Sequence, residues 1–320
     1  MHRNVNRIHS MISVIVPIYN EAGNLTSLLA ELNKSLAEIS AGYEILAVDD
    51  GSTDNSLTEL KKLKKLYGKL NILSLRKNFG KSVALMVGFT KSKGDIVVTI
   101  DADGQDVPSE IAVLLKEINK GFDVAVGWRK NRSDSFIKKM SSSLWNKLLY
   151  LFSGIKLHDV NCGLKVFKKE VLNSRYFLGD FHRYLPVAVA MDGYRVTEVT
   201  VKHRPRLKGI SKYNYSRIFP AVFDFFTNMF LARYGLKPMH LFGQIGVLII
   251  IPGLLINMYL LVLKISGNAI GGRPLLILGL LMTISGLQFI FTGLLGDLII
   301  RNKDLSITEY LENDKQIFTK

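Results

Sequence analysis

Cysteine is almost absent from this chain of 320 residues: Cys162 stands alone, so no disulfide can form within it. A single thiol fits a domain that folds in a reducing compartment. The six histidines show no zinc-like spacing with Cys162. Acidic residues are also in short supply, with 27 Asp and Glu against 42 Lys and Arg, a formal net charge of +15. Such a balance points to an anionic partner: nucleic acid, anionic lipid or a phosphorylated small molecule. No helix-turn-helix, zinc-finger or RNA-binding aromatic signature is present, so nucleic acid is not an expected partner. Internal repeats and low-complexity tracts are missing too. Residues 1–9 are polar and hold no apolar leader core. The domain that follows is therefore expected on the side of the membrane where it is made.

Charge itself is missing from residues 239–300, where only Lys264, Arg273 and Asp297 are formally charged. The mean hydropathy of +0.19 alongside 22% charged residues fits a chain whose apolar residues are segregated in this way. Residues 239–263 and 275–299 each exceed the ~20 apolar residues that span hydrocarbon. Lys264 to Pro274 reads as a short hairpin on the far side, and Arg301 and Lys303 return to the near side. Basic residues are dense on the near side, so the charge rule places the large domain in the cytoplasm. Arg217 to Tyr234 is rich in Phe with interspersed charges, which suits an amphipathic helix lying in the interface. The expected organisation is a catalytic domain over 1–214, juxtamembrane helices over 215–238, a two-helix anchor over 239–300 and a cytoplasmic tail over 301–320. Together they describe an integral protein of the cytoplasmic (inner) membrane.

The first part of the chain alternates strands and helices. Met11 to Pro17, Tyr43 to Val48, Leu70 to Leu75 and Asp95 to Ile100 read as strands. Helices are expected around Leu25 to Leu32, Leu57 to Tyr67, Ser82 to Lys91 and Ile111 to Asn119. This alternation is the pattern of an α/β domain with a largely parallel sheet. Beyond Gly127 the pattern loosens, with a helix expected at Leu144 to Phe152 and strands at Val160 to Phe167 and Arg195 to His203. In sheets of this kind ligands gather at the carboxyl ends of strands. The acidic groups Asp49-Asp50 and Asp101-Ala102-Asp103 sit there. Two carboxylates at i and i+2 on a strand end can share a hard cation with substrate phosphates. An Asp-x-Asp pair alone is weak, since such pairs are common in solvated turns.

Other segments agree with it. Pro17-Ile18-Tyr19-Asn20-Glu21, Val48-Asp49-Asp50-Gly51-Ser52 and Asp101-Ala102-Asp103-Gly104-Gln105 occur in the order and spacing of glycosyltransferase family 2. The first two-thirds of the chain resembles that family, with its GT-A (nucleotide-diphosphosugar transferase, Rossmann-like mixed-sheet) fold. The resemblance implies a nucleotide-diphosphosugar donor, UDP- or GDP-linked, and a Mg2+ or Mn2+ cofactor. Pro17, Tyr19, Glu21 and Val48 would line the nucleoside, and Asp50 would accept a hydrogen bond from the base. Asp101, Asp103 and Gln105 would hold the metal–diphosphate unit, with Ala102 between them.

The segment His203-Arg204-Pro205-Arg206-Leu207-Lys208-Gly209-Ile210-Ser211-Lys212-Tyr213, followed by a membrane anchor, resembles the polyprenyl-phosphate glycosyltransferase group. That group includes dolichyl-phosphate mannose synthase and undecaprenyl-phosphate glucosyltransferase. Fixed cations are what an acceptor phosphate at a bilayer needs, and Arg supplies them bidentately. The resemblance assigns acceptor-phosphate contacts to Arg129, Lys138, Ser142, Arg204 and Lys212, and a catalytic role to Arg206 beside Asp103. Lys138 stands where relatives can carry Arg, and a Lys there gives up the bidentate fork. His158-Asp159-Val160-Asn161-Cys162-Gly163-Leu164-Lys165 also resembles the group, with Asp159 as an acid–base or orienting carboxylate. His182 reads equally as an acceptor-side residue or a packed one.

The function so implied is inverting transfer of a hexose to undecaprenyl or dolichyl phosphate, with a dimer or tetramer compatible. A lipid phosphate has a second pKa of about 6 and is largely ionised near neutrality, so no strong general base is demanded. A processive polysaccharide synthase is the nearest rival, yet neither Trp128 nor Trp145 sits in a Gln-x-x-Arg-Trp motif. A membrane-tethered binding protein would not need the intact acidic set. Two nearly charge-free spans offer a channel no ion pathway. Gly80-Lys81-Ser82 is not a phosphate-binding loop, because Leu75 stands where the first Gly must be.

Overall fold

The structure is a computed structural model that describes residues 10–130, 150, 154–172, 184–205, 227, 230, 234 and 237–301. Lys138, Ser142, His182, Arg206 and Lys212 lie outside the described residues, as do nearly all of 144–152 and 217–234 and the tail from 302. The chain forms two compact units, Met1–Asn228 with Ile307–Lys320, and Met229–Ser306.

The first unit is built on a seven-stranded sheet. Its strands are β1 (Ile12–Ile18), β2 (Tyr43–Asp49), β3 (Leu70–Ser74), β4 (Ile96–Thr99), β5 (Val124–Trp128), β6 (Lys165–Lys168) and β7 (Val196–Thr200). The spatial order is β3-β2-β1-β4-β6-β5-β7. The first four run parallel, β6 runs antiparallel to both β4 and β5, and β7 is parallel to β5. Six of the seven residues of β1 are buried, as expected of a strand covered on both faces. Its one oddity is Pro17, which lacks an N–H. Ile15 turns its carbonyl toward β4, accepting from Ile100, and Ile18 turns its own toward β2, accepting from Asp50. Pro17 therefore faces the β4 side, and the β1–β4 register has already ended at Ile15 and Thr99. A proline is tolerated there because no ladder partner is lost.

Helices α1 (Ala22–Ile39), α2 (Ser56–Leu66), α3 (Lys81–Lys91), α4 (Ile111–Asn119) and α5 (Leu185–Met191) accompany the sheet. Helix α1 buries Leu25, Leu28, Leu29, Leu32, Leu36 and Ile39, a stripe at three- and four-residue intervals. Two differences from the sequence-based expectation matter. Strand β5 was not anticipated, since its five residues carry too short a signal. The strand expected from Val160 starts only at Lys165, and residues 160–164 approach the sheet irregularly. Because β6 enters antiparallel, its beginning lies beside the end of β4, with Lys165 opposite Thr99. This delivers residues 159–164 to the edge where β1, β2, β4 and β5 terminate.

The second unit holds α6 (Pro238–Ile265) and α7 (Pro274–Arg301). Both are long and apolar enough to cross a membrane, and both leave most of their large apolar side chains exposed. They pack through small residues, a mode of contact also common between membrane-spanning helices. A Cβ on Gly246 would lie 2.7 Å from the Gly286 carbonyl oxygen, and one on Gly253 would lie 2.8 Å from the backbone of Thr283. Asn257 Nδ2 donates to Thr283 Oγ1 at 3.0 Å across the same seam. Asp297, near the end of α7, accepts the backbone N–H of Met239 at 3.2 Å. It thereby caps the first turn of α6, a role the sequence alone did not reveal. We expect Gly246→Leu to force the helices apart and lower the thermal midpoint of the protein in detergent micelles by several degrees. A midpoint equal to the parent's would contradict this packing.

Candidate active site

Three loops meet at the carboxyl edge of the parallel strands. Asn20, after β1, adopts a left-handed φ of 56°. Its Oδ1 accepts the N–H groups of Thr53 (2.8 Å) and Asp54 (3.3 Å), tying the β1 loop to the β2 loop. Glu21 accepts from Asn24 Nδ2 at 2.7 Å. Asp49 and Asp50 end β2 with their side chains buried. Asp49 accepts from Ser52 N (3.2 Å) and Ser74 Oγ (3.1 Å). Asp50 accepts from the backbone N–H of Phe79 (2.8 Å) and Gly80 (2.9 Å), one on each oxygen. Burial pushes the Asp50 pKa up, opposed by those two bonds. Each oxygen keeps a second lone pair, so contact with a base is compatible with this geometry. Gly51 is required here: its φ is +64°, and a Cβ would fall 2.3 Å from the carbonyl carbon of Lys77.

The loop after β4 carries Asp101, Ala102, Asp103, Gln105 and Asp106. Lys81, the first residue of α3, places Nζ 2.5 Å from Asp101 Oδ1. Burial would raise the Asp101 pKa, but the Lys81 ammonium, then Lys165 and Arg129, outweigh it and hold the carboxyl low. Asp101 keeps part of its side chain exposed, whereas Asp106 is buried. Desolvation, with the Asp101 charge added, pushes its pKa up to about 7. Gly163 fits between the two: a Cβ there would lie 2.5 Å from Asp101 Cγ and 2.7 Å from Asp106 Oδ2. Lys165 is buried at the start of β6, and burial together with Lys81 lowers its pKa to about 8. Asp103 Oδ1 accepts the N–H of Gln105 at 3.1 Å.

On the β5 side, Arg129 and Asp159 form a two-pronged pair, Nε to Oδ2 at 2.7 Å and a terminal nitrogen to Oδ1 at 2.9 Å. Their side chains are 12% and 2% exposed. The pair with Asp159 keeps the guanidinium charged against the cost of burial. Glu198 of β7 fixes the turn that carries Asp159, accepting the N–H of Asp159 at 2.6 Å and sharing the single backbone N–H of His158 between its two oxygens at 2.7 and 2.8 Å. His158 also stacks on Trp128, with ring centroids 4.3 Å apart. Cys162 is fully buried, and desolvation, with Asp106 adding to it, pushes its thiol up to about 12, so it is an inert packing residue.

The structure thus brings Asp101, Asp103, Arg129 and Asp159 to one edge of the sheet, with Pro17, Tyr19, Glu21, Val48 and Asp50 at the adjoining strand ends. Arg204 is placed differently from its expected duty. Its NH1 nitrogen lies 3.0 Å from both carboxylate oxygens of Glu31 on α1. Its backbone N–H donates to the Gln105 carbonyl, and Gln105 Nε2 reaches the Arg204 carbonyl at 3.5 Å. Lys81, Asp106 and Glu198 were not anticipated, and Lys165 is read from the sequence only as the last residue of the His158-to-Lys165 segment. Lys81 lies in a Gly-Lys-Ser run that is not a phosphate-binding loop, and Lys165 shares its short strand with a second lysine, Lys168. Among the described residues no three acidic, His or Cys side chains converge on a common metal point. An all-oxygen pair such as Asp101 and Asp103 suits Mg2+ or Mn2+ only if substrate phosphates complete the shell.

Residues 13–175 match the family model described as Glycosyl transferase family 2. Dodecaprenyl-phosphate galacturonate synthase of Rhizobium johnstonii is 36% identical over 296 residues, covering 91% of this chain and 88% of that protein. Undecaprenyl-phosphate 4-deoxy-4-formamido-L-arabinose transferase of Proteus mirabilis is 31% identical over 293 residues, with the same two coverages, 91% and 88%. Among solved structures, glucosyl-3-phosphoglycerate synthase of Mycobacterium tuberculosis, in complex with Mn2+, UDP and glucosyl-3-phosphoglycerate, superposes with a TM-score of 0.55 at 18% identity. It covers 70% of this chain and 80% of that one, a likeness of fold.

The raised Asp106 pKa has a consequence for stability. In the unfolded chain an Asp titrates near 4, and in the folded protein near 7. The folded state thus binds more protons in that interval, and stability falls as pH rises through it. In metal-free buffer, Asp106→Asn should match the parent's thermal midpoint near pH 4 and exceed it at pH 8. Equal midpoints at both pH values would contradict the assignment.

Proposed function

The chain belongs to glycosyltransferase family 2, and from that premise we propose that it transfers a hexose unit from a UDP- or GDP-linked sugar to a polyprenyl phosphate, with inversion. The observation that carries the reading is the shared edge of two charge systems. Asp101 and Asp103 end one strand, where a donor diphosphate and its cation would sit, and the Arg129–Asp159 pair ends another, where an acceptor phosphate would meet it. An undecaprenyl-type carrier is favoured, because the two relatives just described are named for dodecaprenyl and undecaprenyl phosphate.

In this reading Asp101 and Asp103, with Gln105 beside them, hold Mg2+ or Mn2+ against the diphosphate. When bound, the cation supplies charge neutralisation for the departing nucleoside diphosphate. Pro17, Tyr19, Glu21, Val48, Asp50 and Ala102 seat the nucleoside. Arg129, Lys138, Ser142, Arg204 and Lys212 gather around the acceptor phosphate, and Arg206 assists the leaving group. For Arg204 this requires exchanging Glu31 for phosphate. The nucleophile is an ionised phosphate oxygen of the lipid, so proton removal is a minor demand. Asp159 is read as an orienting group, since both of its carboxylate oxygens already face Arg129. Holding two anions in line against their repulsion is a positioning task, and the largely buried Arg129, paired with Asp159, is suited to it.

The domain limits follow the same reading: catalysis within 1–214, interfacial helices over 215–238, and an anchor over 239–300. Residues 301–320 and the catalytic domain are placed on the cytoplasmic face of the inner membrane, as a dimer or tetramer. The test is incubation of purified protein with undecaprenyl phosphate and labelled UDP- and GDP-sugars in Mg2+ or Mn2+. Label from at least one donor should enter a lipid-monophosphate product; protein that binds nucleotide yet labels no lipid would instead be a tethered binding module. Asp103→Ala should cut kcat by a factor on the order of a thousand. Arg129→Lys, which loses the planar fork, should raise the KM for lipid phosphate roughly tenfold or more. Unchanged turnover in Asp103→Ala would remove the metal–diphosphate assignment.

A further inference from the structure

Lys81 occupies the Asp101 carboxylate oxygen that the reading above gives to a metal ion. Its Nζ sits 2.5 Å from Asp101 Oδ1, and the two side chains are 36% and 32% exposed, so the pair opens onto the cleft. The backbone at its base is held firmly, because Asp50 grips the N–H groups of Phe79 and Gly80 just before it. Beyond that anchor the lysine stem is flexible and its ammonium is a mobile point charge. The carboxylates of Asp101 and Asp106 crowd Gly163 without room for one more atom. In an empty cleft that negative charge needs a cation, and Lys81 supplies one.

We propose that Lys81 is a switchable counter-cation: it neutralises Asp101 while the donor site is empty, then yields that carboxylate to the divalent ion and moves onto the donor's diphosphate. The inference rests on the reading above, that Asp101 and Asp103 hold a metal–diphosphate unit. A Mg2+ or Mn2+ ion bonds a carboxylate oxygen at about 2.1 Å. With the ammonium still on the same oxygen, a single and a double positive charge would lie within a few ångströms and repel each other even in this part-exposed site, which favours displacement of the lysine. The diphosphate arriving with the ion offers the displaced lysine a new anion within reach of its stem. Lys81 thereby makes metal binding depend on nucleotide, and disfavours a metal-charged, donor-free enzyme.

The two roles have opposite signs, which a merely structural lysine would not produce. Removing the ammonium should tighten metal binding without nucleotide and weaken nucleotide binding with metal. The measurement is Mn2+ titration of the full chain in micelles, followed by electron paramagnetic resonance, with Mn2+ alone and with UDP or GDP added. We expect Lys81→Met to bind Mn2+ alone about tenfold more tightly than the parent and to bind the Mn2+-nucleotide about tenfold more weakly. Lys81→Arg, which keeps the charge, should leave affinity for Mn2+ alone low. Folding is checked by the thermal midpoint, and Lys81→Gln serves if Lys81→Met is unstable. Unchanged or weaker binding of Mn2+ alone in folded Lys81→Met or Lys81→Gln overturns the switch. If nucleotide-dependent Mn2+ uptake by the parent survives Asp103→Ala, the metal–diphosphate reading itself fails and the switch with it.

Discussion

Charge balance in a half-dry cleft is the constraint on which the rest of this structure depends. Asp101, Asp106 and Asp159 converge at one edge of the sheet, and Lys81, Lys165 and Arg129 are set among them. Each cation comes from a different element: the start of α3, the start of β6 and the end of β5. Removing Lys81 or Arg129, with nothing to replace it, would leave Asp101 or Asp159 without its ion-pair partner in a partly desolvated place, which is costly. The antiparallel entry of β6 is what makes the arrangement possible. It returns the chain to the edge where the parallel strands end, and it brings Asp159, Gly163 and Lys165 together within seven residues of sequence.

That constraint also explains which parts were legible in the sequence. The first four strands were readable because each is a short apolar run between helical stripes. The acidic residues at their ends were readable because strand ends are where loops carry function. Lys81 was not, since a lysine opening a helix looks like any solvated charge until the fold brings Asp101 beside it. Glu198 was hidden for a similar reason: the backbone N–H groups of residues 158 and 159 that it accepts come from a turn about forty residues earlier. Strand β5 was missed because five residues, ending in Gly127 and Trp128, give too little alternation to read. Gly127 itself is explained only by tertiary structure, as a Cβ would sit 2.9 Å from the sulfur of Cys162.

The apolar hairpin was legible from composition, but its internal logic was not. Small residues mark the seam between α6 and α7, and the one acidic residue of the pair closes it by capping the partner helix. Belonging to glycosyltransferase family 2 accounts for the sheet and its acidic edge. The two apolar helices are long enough to cross a membrane, which is what the proposed transfer to a lipid acceptor would require of the same polypeptide.

The central claim is that this acidic edge is a donor-diphosphate site. It is tested most directly by anomalous diffraction at the manganese edge from crystals soaked with Mn2+ and UDP or GDP. The account predicts one strong peak shared by the Asp101 and Asp103 carboxylates and the diphosphate, with Lys81 withdrawn from Asp101 toward the phosphates. A nucleotide bound elsewhere, or a peak remote from both aspartates with Lys81 still on Asp101, would contradict it.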